Sequence, residues 1–338
     1  MLHIIISLDY EIFGRGAGDV KRHMIMPTER ILNICEKHNA PLTIMFEACE
    51  YLKFEEFDDE LLAWLGYSPA ELIRGQVRNA LRNGHDVQLH IHPQWIDAGF
   101  KAGKWDLNVP GRAINDLPEE MIHETLKKGK EKIVSIAKDI APHYKCNTVR
   151  FTGSRWIEAP PGTHAALEKS GIKAHSLADY CPDENRKGYW PLGSKGKVWE
   201  VPIYSVELPK YRMFALTRIV PALYRYSVDR SPDFRKKARA AAVSSGHGFL
   251  AGLFRDTYKQ KWDFCKQSAA EMVEFLEAGL RRYDHRNNEV PLVMIGHSKD
   301  FLSDREFERF LRITAKRYLP SGDVKFSTFQ GFVEENMD

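Results

Sequence analysis

The sequence predicts an α/β architecture, a parallel β-sheet with helical crossovers that is either open or closed into a barrel. Three observations support this. Strand-like and helix-like segments alternate along the 338 residues. The first of them, Leu2 to Leu8, is a near-continuous run rich in isoleucine, the composition of a strand buried on both faces. Polar residues able to do chemistry gather where these strands end, the place such folds reserve for their active sites. The length suits one α/β barrel with insertions, so a single domain over residues 1–338 is expected.

In chain order, Leu2–Leu8 ends in Asp9-Tyr10-Glu11. If the extended path persists, Asp9 and Glu11 share a face, because strand side chains alternate. Thr28 to His38 sets Ile31, Leu32, Ile34 and Cys35 at helical spacing, and Pro41 to Glu47 contains a second buried strand, Leu42-Thr43-Ile44-Met45-Phe46. Cys49 to Leu65 is a helical, acidic stretch, and Pro69 to Arg82 a helix stopped by Asn83-Gly84. In the strand that follows, Val87, Leu89 and Ile91 alternate with Gln88, His90 and His92, so both imidazoles face one side. Pro93 cannot donate to a ladder and closes that strand. Trp95 to Pro118 carries Gly99, Gly103, Pro110 and Gly111 with little periodicity and is expected to be a long loop in the position of a lid. Helix Glu119–Ile140, strand Thr148–Phe151 opening into Thr152–Trp156, helix Thr163–Ser170 and strands Gly171–Ala174 and Val198–Val206 continue the pattern. The last elements are helix Ser268–Tyr283, strand Pro291–Gly296 ending at His297, helix Asp304–Tyr318 and strand Val324–Phe329.

Residues 207–262 stand apart. Between Lys210 and Lys261 there are twelve Lys and Arg against three Asp, in a chain whose formal net charge is +3. Aromatic and aliphatic residues such as Tyr211, Phe214, Leu223 and Phe249 are interleaved with them. This is the pattern of a basic, mainly helical insertion. It suits a solvated face packed on the barrel, or peripheral contact with an anionic membrane surface or an acidic carrier substrate. The small charge of the whole chain argues against nucleic acid as partner. Five cysteines, odd in number and without a C-x-x-C pair, argue against a disulfide framework or a cysteine zinc site and favour a reducing compartment. No signal-peptide pattern and no apolar run of ~18 residues is present, so a cytoplasmic location is expected, with association to a membrane through 210–261 as its variant. Nothing in the sequence indicates an oligomeric state.

Asp9, Glu11, His90, His92, Arg150 and His297 come from four separate parts of the chain, and all lie at or just past predicted strand ends. A carboxylate with two imidazoles is a usual ligand set for a catalytic divalent ion, zinc foremost, with one position left for water. A second carboxylate can serve as base, an arginine can hold it ionised, and a separate histidine can protonate a leaving amine. His175, His247 and Trp156 are further candidates for the substrate side.

These residues sit in motifs that resemble the polysaccharide deacetylase, or NodB-homology, superfamily of carbohydrate esterase family 4, in a divergent Asp-x-Glu and His-x-His-Pro branch. Ser7-Leu8-Asp9-Tyr10-Glu11 is similar to the first motif, Thr-Phe-Asp-Asp-Gly. The resemblance makes Asp9 the catalytic base and, because the second Asp falls on Tyr10, makes Glu11 the substitute metal ligand. Gly84 to His90 is similar to the approach to His-x-x-x-His-Pro and makes His90 the first metal histidine. The second would fall on Gln94, and His92-Pro93 offers it in a shifted register. Val149-Arg150-Phe151 resembles the motif whose Arg braces the base, Met294 to Ser298 the motif of the general acid, here His297, and Ser176 to Tyr180 stands where the fourth motif belongs. The resemblance implies a distorted seven-stranded (β/α) barrel and metal-dependent removal of an N- or O-acyl group from an amino sugar or a cell-envelope glycan or its precursor. Two alternatives are a glycoside hydrolase on a related seven-stranded barrel and a non-catalytic carbohydrate-binding protein.

Overall fold

The computed structural model describes residues 1–107, 114–151, 161–176, 187–192, 196–214, 219–220, 223–224, 227–228 and 256–337. The first half of the chain supplies β1 (Leu2–Tyr10), α1 (Met26–Lys37), β2 (Leu42–Glu47), α2 (Ala48–Glu56), α3 (Asp58–Leu65), α4 (Pro69–Arg82), β3 (Asp86–Ile91), β4 (Gly99–Lys101), β5 (Lys104–Asp106), α5 (Glu119–Ala137) and β6 (Thr148–Phe151). The second half supplies α6 (Pro161–Lys169), β7 (Ala174–His175), β8 (Trp190–Leu192), β9 (Val198–Glu200), β10 (Ser205–Pro209), β11 (Thr257–Lys261), α7 (Ala269–Arg282), β12 (Val290–His297), α8 (Asp304–Arg317), β13 (Val324–Phe326) and α9 (Phe329–Asn336).

Seven strands run parallel in the order β12, β1, β2, β3, β6, β7, β9, with β8 antiparallel at the far edge. β1 is the centre of this sheet. It pairs with β12 from Leu2 opposite Val290 to Asp9 opposite His297, and with β2 from Ile6 onward; β13 pairs with it at Leu2 to Ile4, before β2 arrives. The sheet curls until the chain leaving β9 returns to β12: Ile203 bridges Val293, and Tyr204 donates its N–H to the Val293 carbonyl at 3.0 Å. The result is the expected distorted barrel of seven parallel strands, its β12 edge met by two isolated bridges, Ile203 to Val293 and Asp263 to Ile295, instead of a full ladder.

Period-two alternation decides what the barrel contains. On β1, Ile4, Ile6, Leu8 and Tyr10 pack outward among the helices, whereas Ile5 faces inward with Met45, Val293, Phe329, Phe332 and Val333. The inward positions therefore turn polar at the C-terminal ends of the strands: Ile5, Ser7, Asp9 on β1; Met45, Glu47 on β2; Val293, Ile295, His297 on β12. α9 fills the apolar end with Phe329 and Phe332, which leaves chemistry to the C-terminal end.

Several elements differ from expectation for identifiable reasons. The last strand stops at Phe326, and Thr328 caps α9 by accepting from the Gly331 N–H at 3.0 Å. The aromatic spacing Phe329, Phe332, Val333 belongs to that helix. The predicted strand Gly171–Ala174 begins only at Ala174, because Gly171 takes a positive φ of 65° at the end of α6. The run Val198–Val206 is divided by Pro202, which has no N–H to give a ladder. Cys49 to Leu65 is two helices with a break at Phe57. Inside the expected loop lies a hairpin, β4–β5, turned by Ala102 and Gly103, both at positive φ; residues 108–113 lie outside the described set. The ends of the basic stretch pair as antiparallel strands, Ser205 opposite Lys261 and Pro209 opposite Thr257. Most of its interior, including His247, lies outside the described residues, as do Thr152 to Trp156. Among the described residues no helix is long and apolar enough to cross a membrane.

β12 and the turn beside it are packed without slack. A Cβ added to Gly296 would meet the Phe264 ring at 2.1 Å, and that ring is itself stacked on Phe307. Gly296→Ala is expected to destabilise the fold by about 1–3 kcal/mol in denaturant unfolding; an unchanged midpoint would contradict this packing.

Candidate active site

The C-terminal ends of β1, β3, β6 and β12 bring all six strand-end residues into one buried cluster. Asp9 is the pivot. Arg150 Nη1 donates to its Oδ1 at 2.5 Å, while its Oδ2 lies 3.8 Å from His90 Nε2 and 3.5 Å from His297 Nε2. Arg150 crosses the barrel interior from β6, two strands beyond β2, and spends its remaining donors on the Ser7 hydroxyl at 3.0 Å and on the Ser176 hydroxyl and carbonyl at 3.2 and 3.1 Å. Ser7 in turn donates to the Met294 carbonyl at 2.8 Å. Burial alone would raise the Asp9 carboxyl. The guanidinium and the two imidazoles outweigh burial, and its pKa falls below the ordinary carboxylate range.

Glu11, just past β1, reaches the histidine pair. Its Oε2 lies 2.8 Å from His92 Nε2 and 3.9 Å from His90 Nε2, and the two Nε2 atoms are 2.9 Å apart. The ligand atoms of Glu11, His90 and His92 all lie within 4.8 Å of one another, the only such group among the described residues. His90 Nδ1 donates to the Arg150 carbonyl at 2.9 Å, which fixes the tautomer and leaves the Nε2 lone pair for the cluster. Burial, reinforced by His92, holds the His90 imidazole down to a pKa of about 4. The donor set therefore fits a divalent ion: an aligned, neutral imidazole, a second imidazole and an ionised carboxylate, close enough to meet one ion at bond lengths of about 2.0–2.2 Å after small shifts.

Lys299 is the member that the sequence motifs do not single out. It lies in the short turn after His297, is 5% exposed, and donates from Nζ to Glu11 Oε1 at 2.5 Å and to the Ile12 carbonyl at 3.0 Å. Against the rise that burial would cause, His92 and Lys299 hold the Glu11 carboxyl well below its ordinary range. Two more buried acids flank Glu11. Glu47 caps α2, accepting from the Cys49 and Glu50 N–H groups, and Glu50 accepts from the Ile12 N–H. Burial pushes both carboxyls up, helped by the charges of Glu50 and Glu11 at Glu47 and of Glu11 at Glu50. Glu47 ends β2, one strand over from Asp9, and obeys the same strand-end rule but has no second acid at strand spacing, and Glu50 falls within the acidic helical stretch.

His297 is the most accessible of the six, with its side chain 20% exposed against 2–11% for the rest. Burial lowers its pKa, while Asp9 works in the opposite direction. His175 is not part of the site: it shares the outward register of Val149 and lies 2.5 Å from Glu200. From the fourth-motif stretch, Ser176 braces Arg150, and residues 177–180 lie outside the described set.

No protein-family model and no curated protein matches the chain. Solved structures do. A crystal structure assigned to the polysaccharide deacetylases, from Mycobacterium smegmatis, aligns over 99% of this chain and 89% of its own, with a TM-score of 0.52 at 15% identity. The PuuE allantoinase aligns over 98% and 89%, with a TM-score of 0.50 at 11% identity. At such identities the likeness establishes the fold, and this chain has the barrel of the polysaccharide deacetylase type.

In metal-free protein, the His90 ring is expected to remain neutral until the pH falls to about 4, as followed by ring-carbon NMR. The sign of the linked stability follows. An unfolded histidine binds its proton near pH 6.5, so between 6.5 and 4 the unfolded state binds more protons, and this contribution to stability is lost as pH falls. A midpoint near 6.5 in the folded protein would contradict the buried, donor-locked geometry.

Proposed function

We propose that this protein is a metal-dependent hydrolase that removes an N- or O-acyl group from an amino sugar or a cell-envelope glycan precursor, with zinc as the metal. One observation carries the reading: a carboxylate–imidazole trio and a separate acid–base pair share one pocket, with Asp9 within 4 Å of both His90 and His297. The likeness in fold to a structure assigned to the polysaccharide deacetylases and the motif pattern around Asp9, His90, Arg150 and His297 support the same chemistry. The allantoinase shares the barrel, so fold alone does not select a substrate; the sugar assignment rests on the motifs.

Glu11 Oε2, His90 Nε2 and His92 Nε2 would hold the ion. When bound, it supplies Lewis acidity, making water more acidic and polarising an acyl oxygen. Asp9 takes the proton from the attacking water on Oδ2, the oxygen not held by Arg150. Arg150 keeps that carboxylate ionised and aimed. His297, on the accessible side and 3.5 Å from that Oδ2, takes the proton on from Asp9 and delivers it to the leaving nitrogen or oxygen of the sugar. Asp9 and Glu11 are each held ionised by a basic partner, so neither can be the protonated acid a glycosidase needs. The two carboxyls pushed toward the neutral form, Glu47 and Glu50, are engaged with backbone N–H groups at the start of α2 and at Ile12, which disfavours that alternative. The basic stretch 210–261 is assigned, as part of the same proposal, to peripheral contact with anionic membrane.

Purified protein should contain stoichiometric zinc by elemental analysis, and the double variant His90→Ala, His92→Ala should lose it; equal zinc in both would sink the ligand assignment. Asp9→Asn is expected to lower kcat for an N-acetylated amino-sugar substrate by roughly 10²–10⁴-fold. Arg150→Lys keeps the charge and loses the fork that grips Asp9, Ser7 and Ser176 together, so at least about a tenfold loss is expected. Retained activity would remove Arg150 from its bracing role. Binding to vesicles should rise with anionic lipid and fall with salt; binding to neutral vesicles alone would contradict the membrane assignment.

A further inference from the structure

The proposed ligand trio has a fourth charged member of its own. Lys299 Nζ is bonded to the Oε1 of the carboxylate whose Oε2 faces the histidines, and its second bond, to the Ile12 carbonyl, fixes it from the other side. The residue is buried and lies on a turn anchored by β12, so the ammonium cannot swing to solvent without opening that turn. Within the cluster Asp9 is offset by Arg150 and Glu11 by Lys299. Behind it Lys266 lies between Asp263 and Asp300, one cation to two carboxylates. A divalent ion entering here shares one of its ligands with an ammonium.

We infer that Lys299 is a resident cation of the metal centre, a positioning residue that shares Glu11 with the ion and sets its affinity low. This rests on the metal-dependent reading above. Two effects oppose each other. The bond to Oε1 presets Glu11 with Oε2 toward the histidines, which helps binding by removing an ordering cost. The ammonium also repels a divalent cation across a single carboxylate in a water-poor pocket, where Coulomb forces are weakly screened. Ordering one side chain is the smaller effect, so repulsion decides the sign. Lys299 thereby keeps the ion exchangeable and more strongly Lewis-acidic, because less donor charge reaches it.

The test is zinc affinity, measured by competition with a chromophoric chelator on the full-length, metal-free protein. Wild type is compared with Lys299→Met, Lys299→Gln and Lys299→Arg, each checked for folding by circular dichroism. Gln retains a donor for Glu11 and stands in if the Met variant does not fold. Removing the charge is expected to tighten zinc by about tenfold or more in both neutral variants, while Arg stays within about threefold of wild type. Equal or weaker zinc binding in a folded neutral variant overturns the inference and leaves the metal-dependent hydrolase standing. Failure of all four proteins to take up zinc overturns both.

Discussion

A buried ion pair across the barrel holds the site together. Arg150, on β6, reaches through the interior to Asp9 on β1, and the same guanidinium ties Ser7 and Ser176. Removing one partner of such a pair strands the other charge out of water at a cost of about 3–5 kcal/mol. The pair is satisfied only if β1 and β6 keep their separation, and β1 in turn aligns Asp9 with His297 on β12. Through the Arg150 carbonyl, the same residue orients His90. One residue thus fixes the ionisation of Asp9, the tautomer of His90 and the spacing of the strands that carry both.

The electrostatics follow from where these groups are buried. Of the carboxyls described at the C-terminal mouth, Asp9 and Glu11 are offset by cations, and Glu47 and Glu50 are driven toward the neutral form. Acids of opposite tendency a few ångströms apart are the pattern of a chemical site more than of a structural one. Below them, Thr43, Asp86 and the Gln330 N–H form a separate bonded network that ties α9 to the barrel floor without contributing to the mouth.

Much of this was legible in the sequence because the signals were periodic. Alternation placed Asp9 with Glu11 and His90 with His92, and the strand-end rule collected Arg150 and His297 with them. Lys299 was not, since a lysine between Ser298 and Asp300 in a turn has the same local signature as a solvated one, and only the fold puts it against Glu11. Glu47 stood at the end of its predicted strand, opposite His90, but with Met45 and Cys49 at its two-residue spacing it had no second acid to mark it as part of a site. The short strands Trp190–Leu192 and Gly99–Lys101 are too brief to show a period. The last strand was read three residues too long, to Phe329, because that residue is a β-former, whereas the cap at Thr328 makes it the first residue of α9.

The proposed metal site, with Glu11, His90 and His92 turned to an ion beside Asp9 and His297, is tested directly by anomalous diffraction at the zinc edge from crystals grown without chelator. One anomalous peak bonded to Glu11 Oε2, His90 Nε2 and His92 Nε2 is expected. The absence of a peak there with zinc supplied, or a peak held by other residues, would contradict it.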